Sequence, residues 1–398
     1  MSIVNYQLKN NVFSYLCGMI EIKKVETKKD LRKFIQFHYD LYRGNKYDAP
    51  NLFSDEIFTL SKDKNAAFDF CEADYFMAFK DGKMVGRIAA IINHKANEKW
   101  KIKAVRFGWI DFIDDIEVST LLVKTVEDWG KERGMEMMQG PLGFTDMDPE
   151  GMLAKGFEEP GTMPTIYNYE YYIKHFDQMP DFYIENTYVE YRMDVPKEVP
   201  EKYTKIAEAI KKRYNLHTHK LTKKEIYREG YGKKVFDLIN ATYKDLYGYS
   251  ELSDRQIKQY TDMYFSYLDL DLVTLIEDWN DNRKPIGIGI SIPAMGPAIQ
   301  KCKNGRLLPF GWWHLLRALK FKKAKSVDML LVGVLPEYRS KGANALLFTD
   351  LIPQYNKFKF QWAETQVEME SNSAVQSQWG ALNPVQHKRR NCYAKKFS

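Results

Sequence analysis

The sequence predicts a mixed α/β fold built from two halves of similar design. Short segments with alternating apolar residues, typical of strands, are interleaved with longer segments whose apolar residues recur at helical spacing. The order helix, strand hairpin, strand, helix, strand occurs once up to about residue 197 and again after it. A chain of 398 residues is also long enough for two domains of roughly 150 residues each. These observations predict one domain over residues 19–197 and a second over residues 198–398.

In the first half, the alternating residues 20–25 predict a first strand, which a helix with one apolar face follows. The dipeptide Asp81-Gly82 predicts a strand hairpin, because it is typical of two-residue turns. Further strands are predicted at residues 105–112, 135–138 and 188–194, and a helix at residues 119–133. Residues 140–180 are rich in Gly, Pro and Tyr and predict a long loop that is functional or interfacial. The prolines at positions 196 and 200 predict the domain boundary.

The second half is predicted to repeat this order. Its predicted strands are residues 272–278, 286–293, 326–335, 360–370 and 388–397. Its predicted helices are residues 203–214, 233–247 and 342–356.

At the N-terminus, residues 1–18 lack the features of a signal peptide and are interpreted as a loose, dispensable extension before Met19.

Composition and charge exclude several classes of protein. The 59 basic and 53 acidic residues give a net charge of +6 without a dense basic block, so nucleic-acid binding is not expected. The longest apolar stretches are far shorter than the roughly 20 residues that span a bilayer, so no transmembrane segment is expected. The four cysteines form no CxxC pair and the seven histidines form no metal motif, so neither a disulfide framework nor a metal is expected. A cytoplasmic protein of undetermined oligomeric state is the simplest interpretation.

The segment with the most chemical content joins the strand at 326–335 to the helix at 342–356. A loop of this kind leaves the first N–H groups of the helix free, and together with the helix dipole they form an anion site. Gly342 permits close approach of a ligand to the backbone, and Arg339 and Lys341 add positive charge. The residues of the predicted site are Gly333, Val334, Arg339, Ser340, Lys341, Gly342, Ala343 and Asn344. From its shape alone, the segment is equally consistent with an ordinary strand–loop–helix connection.

The run Val-x-Pro-x-Tyr-Arg-x-Lys-Gly at residues 334–342 resembles the acyl-CoA-binding motif R/Q-x-x-G-x-G/A of the GNAT superfamily of CoA-dependent N-acyltransferases. Arg339 and Gly342 fill the first two motif positions, whereas Asn344 stands where the family has Gly or Ala. The resemblance implies two tandem GNAT-like domains, of which the second binds acetyl-CoA or another acyl-CoA. It further implies that the loop amides hold the CoA pyrophosphate and that the preceding strand splays from its neighbour to admit the pantetheine arm. Asn372 fits the downstream pattern as a helix cap and is included among the cofactor-binding residues.

In the first half, the corresponding loop carries Asp114, Asp115 and Glu117, with neither Arg nor Gly. Carboxylates at this position would repel a pyrophosphate. The first half is therefore expected to be a degenerate GNAT-like domain that binds no CoA and supports the substrate site, as in tandem-GNAT proteins.

Acyl transfer to an amine requires a general base. An amine of pKa about 10.4 is ~3.4 units above neutral pH, so its deprotonation costs roughly 4–5 kcal/mol. On the predicted strand at 360–370, a period of two puts four polar residues on one face: Glu364, Gln366, Glu368 and Glu370. We expect Glu368 or Glu370 to be the base, with a solvated strand face as the alternative. The tyrosine that many GNAT members use to protonate the thiolate is replaced by Trp379, so another group or solvent must do so.

Residues 297–325 form a basic segment interleaved with aromatic and aliphatic residues. Four interpretations stay open for this segment: a packed insertion, a lid for an acidic substrate, a CoA phosphate contact, or a membrane-surface attachment.

For the whole chain, the sequence predicts an acyl-CoA-dependent N-acyltransferase, with acetyl-CoA as donor, acting on a small-molecule or peptide amine. The alternatives are a non-catalytic ligand-binding or regulatory protein on the same fold and an aminoacyl transferase.

Overall fold

The computed structural model describes residues 20–321 and 324–397. The interpretation of residues 1–18 as a dispensable extension lies outside these residues. The strands are β1 (Ile20–Lys24), β2 (Cys71–Lys80), β3 (Lys83–Asn93), β4 (Ala104–Phe112), β5 (Met137–Gly140), β6 (Met152–Lys155), β7 (Tyr183–Asp194), β8 (Leu216–His219), β9 (Val273–Asp278), β10 (Lys284–Pro293), β11 (Ser326–Val334), β12 (Trp362–Thr365), β13 (Glu368–Met369) and β14 (Val385–Lys396).

The helices surround this set of strands. They are α1 (Lys28–Leu41), α2 (Phe53–Leu60), α3 (His94–Trp100), α4 (Ile116–Lys131), α5 (Tyr171–Gln178), α6 (Glu201–Tyr214), α7 (Lys223–Arg228), α8 (Tyr231–Tyr243), α9 (Asp254–Tyr267), α10 (Gly296–Ile299), α11 (Gly311–Leu319), α12 (Pro336–Arg339), α13 (Asn344–Phe358) and α14 (Ser373–Gln376). Among the described residues, no helix combines the length and the apolar character needed to cross a bilayer.

The predicted mixed α/β fold is confirmed, and its strands form one continuous sheet. The main path of the sheet runs β1-β2-β3-β4-β5-β14-β7-β12-β11-β10-β9-β8, while β6 pairs with β14 and β13 pairs with β7. The hairpin at Asp81-Gly82 is also confirmed, because both residues have positive φ and Lys80 pairs with Lys83. The predicted single strand at 360–370 is wrong, since β12 ends at Thr365 and β13 begins at Glu368.

The two halves exchange their last strands. β14, from the end of the chain, pairs with β5 of the first half, from Tyr393 opposite Gly140 to Lys396 opposite Met137. β7, from the end of the first half, pairs instead with β12 of the second half. Because β7 and β14 also pair with each other, the sheet crosses the centre of the molecule without interruption. The domain boundary between residues 197 and 198 stays a prediction from the order of elements in the sequence.

A buried group of charges holds the two exchanged strands together. Glu190 on β7 lies opposite Lys388 on β14, and its carboxylate is 2.5 Å from Arg390 Nε and 3.4 Å from Lys388 Nζ. All three side chains are almost completely buried. Burial alone would raise the pKa of Glu190, but the two cations outweigh it and hold this pKa below its usual range.

We predict that Glu190→Gln destabilises the protein by about 3–5 kcal/mol, because it leaves buried cations without their carboxylate. The free energy of unfolding in urea measures this change. The matched control is Glu136→Gln, whose partner Lys103 is 2.6 Å away on the surface and whose loss should change stability by less than about 1 kcal/mol. Equal losses in the two variants would contradict this role for Glu190.

Candidate active site

A cavity opens where β11 and β12 separate. The two strands pair in parallel from Ser326 and Trp362 to Met329 and Thr365, and β11 then continues to Val334 paired with β10 but no longer with β12. The cavity has a volume of about 1060 Å³, and residues 329–334 and 365–369 line it. Gly333 allows α8 to pack closely here, since a Cβ at this position would lie 2.6 Å from Thr242 Oγ1. The predicted splay of this strand is therefore present.

The loop after β11 brings a helix N-terminus to one end of the cavity. Gly342 has φ +80°, and α13 begins two residues later with no side-chain cap on its first turn. Because no side chain occupies these N–H groups, the helix end can accept an anion. Arg339 holds the loop in place, since its Nε donates to Val334 O (2.9 Å) and its Nη2 to Thr242 O (3.1 Å).

Most of the predicted cofactor-binding residues meet at this cavity. The predicted residues in its lining are Gly333, Val334, Arg339, Ser340, Gly342, Asn344 and Asn372. Two others stand outside the lining: Ala343 is buried beneath the loop, and the Lys341 ammonium lies over the rings of Tyr338 and Tyr214. Asn372 also caps α14 through Val375 N, as its sequence position predicts.

The structure separates the two predicted base candidates. Glu368 lines the cavity and accepts hydrogen bonds from Trp379 Nε1 at 2.9 and 3.2 Å. Burial raises the pKa of Glu368 to about 8, although the bond from Trp379 lowers it in part. Glu370 instead lies on the surface, 44% exposed, with its carboxylate 2.7 Å from Arg389 Nη2.

The prediction that Glu364, Gln366, Glu368 and Glu370 share one strand face is wrong. Residues 366–367 interrupt the strand, so the alternation of side chains does not continue from β12 into β13. Glu364 is buried on the far side of this break, where it lies 3.5 Å from both Lys388 Nζ and Arg192 Nη2. It therefore belongs to the charge group of the exchanged strands.

Three carboxylates that sequence reasoning did not single out line the same cavity. Asp146, Asp148 and Glu150 lie in the long loop between β5 and β6. Burial raises their pKa values, to about 6 for Asp148, to about 7 for Glu150 and well above the usual range for Asp146. The alternation Asp-x-Asp-x-Glu in a loop already predicted to be functional was the available signal.

Arg106 positions this acidic loop against the second half of the chain. Its Nη1 donates to Gly143 O (3.1 Å), and its Nη2 donates to Gly248 O (2.7 Å) beyond α8. The loop also turns sharply, because a Cβ at Gly143 would lie 2.2 Å from Asp148 Cβ. Arg106 therefore fixes the loop that carries the carboxylates, because it binds backbone carbonyls in both halves of the chain.

The cavity lining holds many more carboxylates than cations. Seven carboxylates line it: Asp55, Glu56, Asp146, Asp148, Glu150, Asp245 and Glu368. The lining cations are Lys202 and Arg339, which lie on α6 and at the end of α12, near the uncapped end of α13. The lining near the start of α13 thus suits an anion, and the loop that carries Asp146, Asp148 and Glu150 suits a cation.

Apolar and aromatic side chains also line the cavity, most of them from α2 and α9, and we call this group the apolar arm. The apolar arm comprises Phe58, Met147, Met163, Tyr260, Met263, Tyr264, Phe265 and Leu268. Tyr243 lies near the middle of the cavity, where its hydroxyl donates to Val332 O (3.3 Å) on the separated part of β11. Within the described residues, no three His, Cys, Asp or Glu side chains are grouped so as to hold a metal ion.

The equivalent gap in the first half is filled. β4 and β5 pair only from Ala104 to Arg106, but Leu142 follows β5 into the gap and donates its N–H to Phe107 O (2.9 Å). Asp115 caps α4 by accepting from Glu117 N (3.0 Å), and it pairs with Lys80 (2.7 Å). A carboxylate therefore occupies the helix end where a phosphate would bind.

Comparison with known proteins places this architecture in a class. No family model matches the sequence. Protein YghO of Escherichia coli (strain K12) is 25% identical over 412 residues and covers 100% of both chains. Bacterial ceramide synthase of Caulobacter vibrioides is 25% identical over 369 residues, which is 89% of this chain and 92% of that protein.

Two solved structures share the fold. A tandem GNAT protein from the clavulanic acid biosynthesis pathway has a TM-score of 0.56 over 95% of this chain and 98% of that chain, at 11% identity. The GCN5-related glucosamine N-acetyltransferase region of a fungal multi-domain β-N-acetylglucosaminidase has a TM-score of 0.53 over 95% of this chain and 38% of that chain, also at 11% identity. The chain therefore has the fold of the GNAT acyltransferases. More particularly, it has two GNAT-like units in tandem within one sheet, as the order of elements and the resemblance together predicted.

We predict that Glu368→Gln stabilises the protein at pH 8 by about 2–4 kcal/mol and has little effect at pH 4.5. The folded pKa of about 8 lies above the ordinary value of 4.5, so the wild type loses stability as pH rises through this window. Gln removes this loss and can still accept the hydrogen bond from Trp379. Urea unfolding at several pH values measures the effect, with Glu370→Gln as the surface control. A pH-independent difference between Glu368→Gln and the wild type would contradict it.

Proposed function

We propose that the protein transfers an acyl group from an acyl-CoA to the amino group of a long-chain amine. The observation that carries this proposal is the cavity itself, whose lining combines an uncapped helix end, a buried carboxylate of raised pKa, an acidic loop and an apolar arm. Each part corresponds to one requirement of acyl transfer to an amphipathic amine.

The end of the cavity at α13 is the proposed CoA site. Ser340, Gly342 and Asn344 line this end of the cavity, and N–H groups of the loop and of the first turn of α13 would donate to the pyrophosphate. The separated edge of β11 offers its backbone to the pantetheine arm. Acyl-CoA supplies the activated thioester, and acetyl-CoA is the smallest donor to test.

Glu368 is the proposed general base. The bound ammonium first gives one proton to Glu368, directly or through water. The neutral amine nitrogen then forms a bond to the thioester carbonyl carbon, and the C–S bond breaks to release the thiolate. A second proton leaves the nitrogen and balances the one that the thiolate receives. A carboxylate with a pKa of about 8 is a stronger base than an ordinary Glu and is still partly ionised near neutral pH. Tyr243, the last residue of α8, is the candidate proton donor to the thiolate, because its hydroxyl lies at Val332 O on the separated edge of β11.

Asp146, Asp148 and Glu150 are the proposed binding site for the ammonium form of the amine. A bound cation would relieve the repulsion among these buried carboxylates. The apolar arm would hold the alkyl chain, at roughly 25 cal/mol for each Å² of apolar surface removed from water. The similarity to bacterial ceramide synthase supports an acceptor of this kind, such as a long-chain amino alcohol.

We predict that Gly342→Glu weakens CoA binding by at least about 100-fold, because each charge-assisted hydrogen bond lost is worth about 1.5–3 kcal/mol and the new carboxylate repels phosphate. Isothermal titration calorimetry with CoA measures the change. Gly230→Glu is the matched control, since Gly230 also has a positive φ (+79°) but lies outside the cavity lining and has open space at its Cβ. Equal CoA affinity in Gly342→Glu and the wild type would exclude this loop as the site.

We predict that Glu368→Gln lowers the turnover rate by about 10²–10⁴-fold with CoA affinity unchanged, because it removes the base but keeps the shape. Glu370→Gln should turn over at nearly the wild-type rate. Since the base must be deprotonated, wild-type turnover should rise with pH and level off above about pH 8. A wild-type rate in Glu368→Gln would place the base elsewhere.

The acceptor class is tested by measuring CoA release and product mass with a panel of amines. We predict that a long-chain amino alcohol such as sphinganine is acylated at least about tenfold more efficiently, in kcat/KM, than ethanolamine or lysine. Asp148→Asn should raise the KM for the long-chain amine without changing CoA affinity. Preference for the short amines would refute the lipid acceptor, and absence of CoA release with every amine and donor would favour the non-catalytic alternative.

A further inference from the structure

A cluster of exposed apolar side chains lies on α11 and on the residues just before and after it. The exposed fractions are 78% for Leu308, 74% for Phe310, 47% for Trp312, 42% for Trp313 and 53% for Phe321. These five residues, which we call the aromatic face, occupy a stretch of 14 residues, whereas the other large exposed hydrophobic residues of the described chain are scattered. Contiguous apolar surface of this kind marks an interaction site.

The aromatic face is carried by well-packed structure. Gly311 and Ala318 on the opposite side of α11 are buried, and Leu315 and Leu319 pack against the core of the second half. The rings also contact each other, with centroids 5.9 Å apart for Trp312 and Trp313 and 5.8 Å apart for Trp313 and Phe321. The outward aromatic side chains are therefore held in place by the inward side of the same helix.

The surroundings of the aromatic face are strongly basic. Residues 297–325 contain eight Lys or Arg and no Asp or Glu. Of these cations, five are exposed in the described part of the segment before Phe321: Lys301, Lys303, Arg306, Arg317 and Lys320. Lys29, Arg32 and Lys33 of α1 line a shallow depression together with Arg306, and the one carboxylate in its lining, Asp40, is paired with Arg43.

We propose that the aromatic face docks onto a membrane surface rich in anionic phospholipid. Trp and Phe side chains flanked by Lys and Arg suit such a surface. The aromatic rings enter the headgroup region, and the cations bind the lipid phosphates. Contact with a second copy of this chain is disfavoured, since a twofold interface would bring the same basic segments together. The docking proposal does not depend on acyl transfer.

The residues just before the aromatic face contact α2, the helix that contributes Phe58 to the apolar arm. The Arg306 guanidinium stacks over Phe53 of α2 at 4.3 Å, and a Cβ at Gly305 would lie 2.7 Å from Asn51 O. The residues of α2 that follow, Asp55, Phe58 and Thr59, line the cavity. If the proposed function holds, docking would bring the arm beside the membrane in which a long-chain amine resides.

Flotation of the whole protein with phosphatidylcholine vesicles, with and without phosphatidylglycerol, tests the docking. We expect binding to the anionic vesicles at least about tenfold tighter than to the neutral ones, and weaker binding as salt is added. The triple variant Phe310→Ala, Trp312→Ala and Trp313→Ala should lose at least about tenfold in vesicle affinity. Arg317→Glu together with Lys320→Glu should lose binding to the anionic vesicles.

The matched control replaces exposed apolar residues elsewhere with Ala: Ile184 (51%), Tyr227 (44%) and Trp279 (49%). This control should bind as the wild type does. Wild-type binding by the aromatic-face variant, or no binding of the wild type to either vesicle, overturns the proposal. A dimer in sedimentation analysis that the aromatic-face variant abolishes, without vesicle binding, would also overturn it by assigning the face to a second copy. CoA affinity of each variant shows separately whether the CoA site is intact.

Discussion

The pairing of β7 with β14 is the constraint on which the rest of the structure depends. Each strand completes the sheet of the half to which it does not belong in sequence, and each carries charges that need the other. The buried carboxylate of Glu190 on β7 lies beside the buried cations of Lys388 and Arg390 on β14. This register therefore gives each buried charge a partner of opposite sign. A slip by one residue would turn the carboxylate away from its cations and leave charges buried without partners.

The same two strands assemble the cavity. Glu368 is placed by β7, because β13 pairs with it and sets Glu368 opposite Val189 and Met369 opposite Tyr188, which itself lines the cavity. On the other side, β14 pairs with β6, the strand that follows the acidic loop, through Asn391 and Met152. The proposed base and the proposed amine site therefore come from different halves of the chain and are brought together by the exchange. Neither half alone contains both.

Much of this could be predicted from the sequence where the determinants are local. The hairpin at Asp81-Gly82 and the splayed strand before Gly342 follow from turn chemistry and from a continuous motif. The separation of Glu368 from Glu370 could not be predicted, because the break at residues 366–367 is set by pairing with β7, far away in the sequence. The position of Asp146, Asp148 and Glu150 in the cavity could not be predicted for a similar reason. Their burial depends on the hydrogen bond by which Arg106 joins their loop to Gly248. Local patterns thus predicted the elements and the loop of the proposed CoA site, whereas long-range pairing decided which carboxylates face the cavity.

The exchange also has a consequence for the order in which the protein can fold during synthesis. β5 is made early, yet its sheet partner β14 comprises residues 385–396, so one edge of the first sheet stays open until nearly all of the described chain has been made. An open edge of this kind can pair with another chain, and this risk of aggregation lasts until β14 has been synthesised. The first half therefore cannot reach its final state while the ribosome is still making the second, and the two halves must complete folding together.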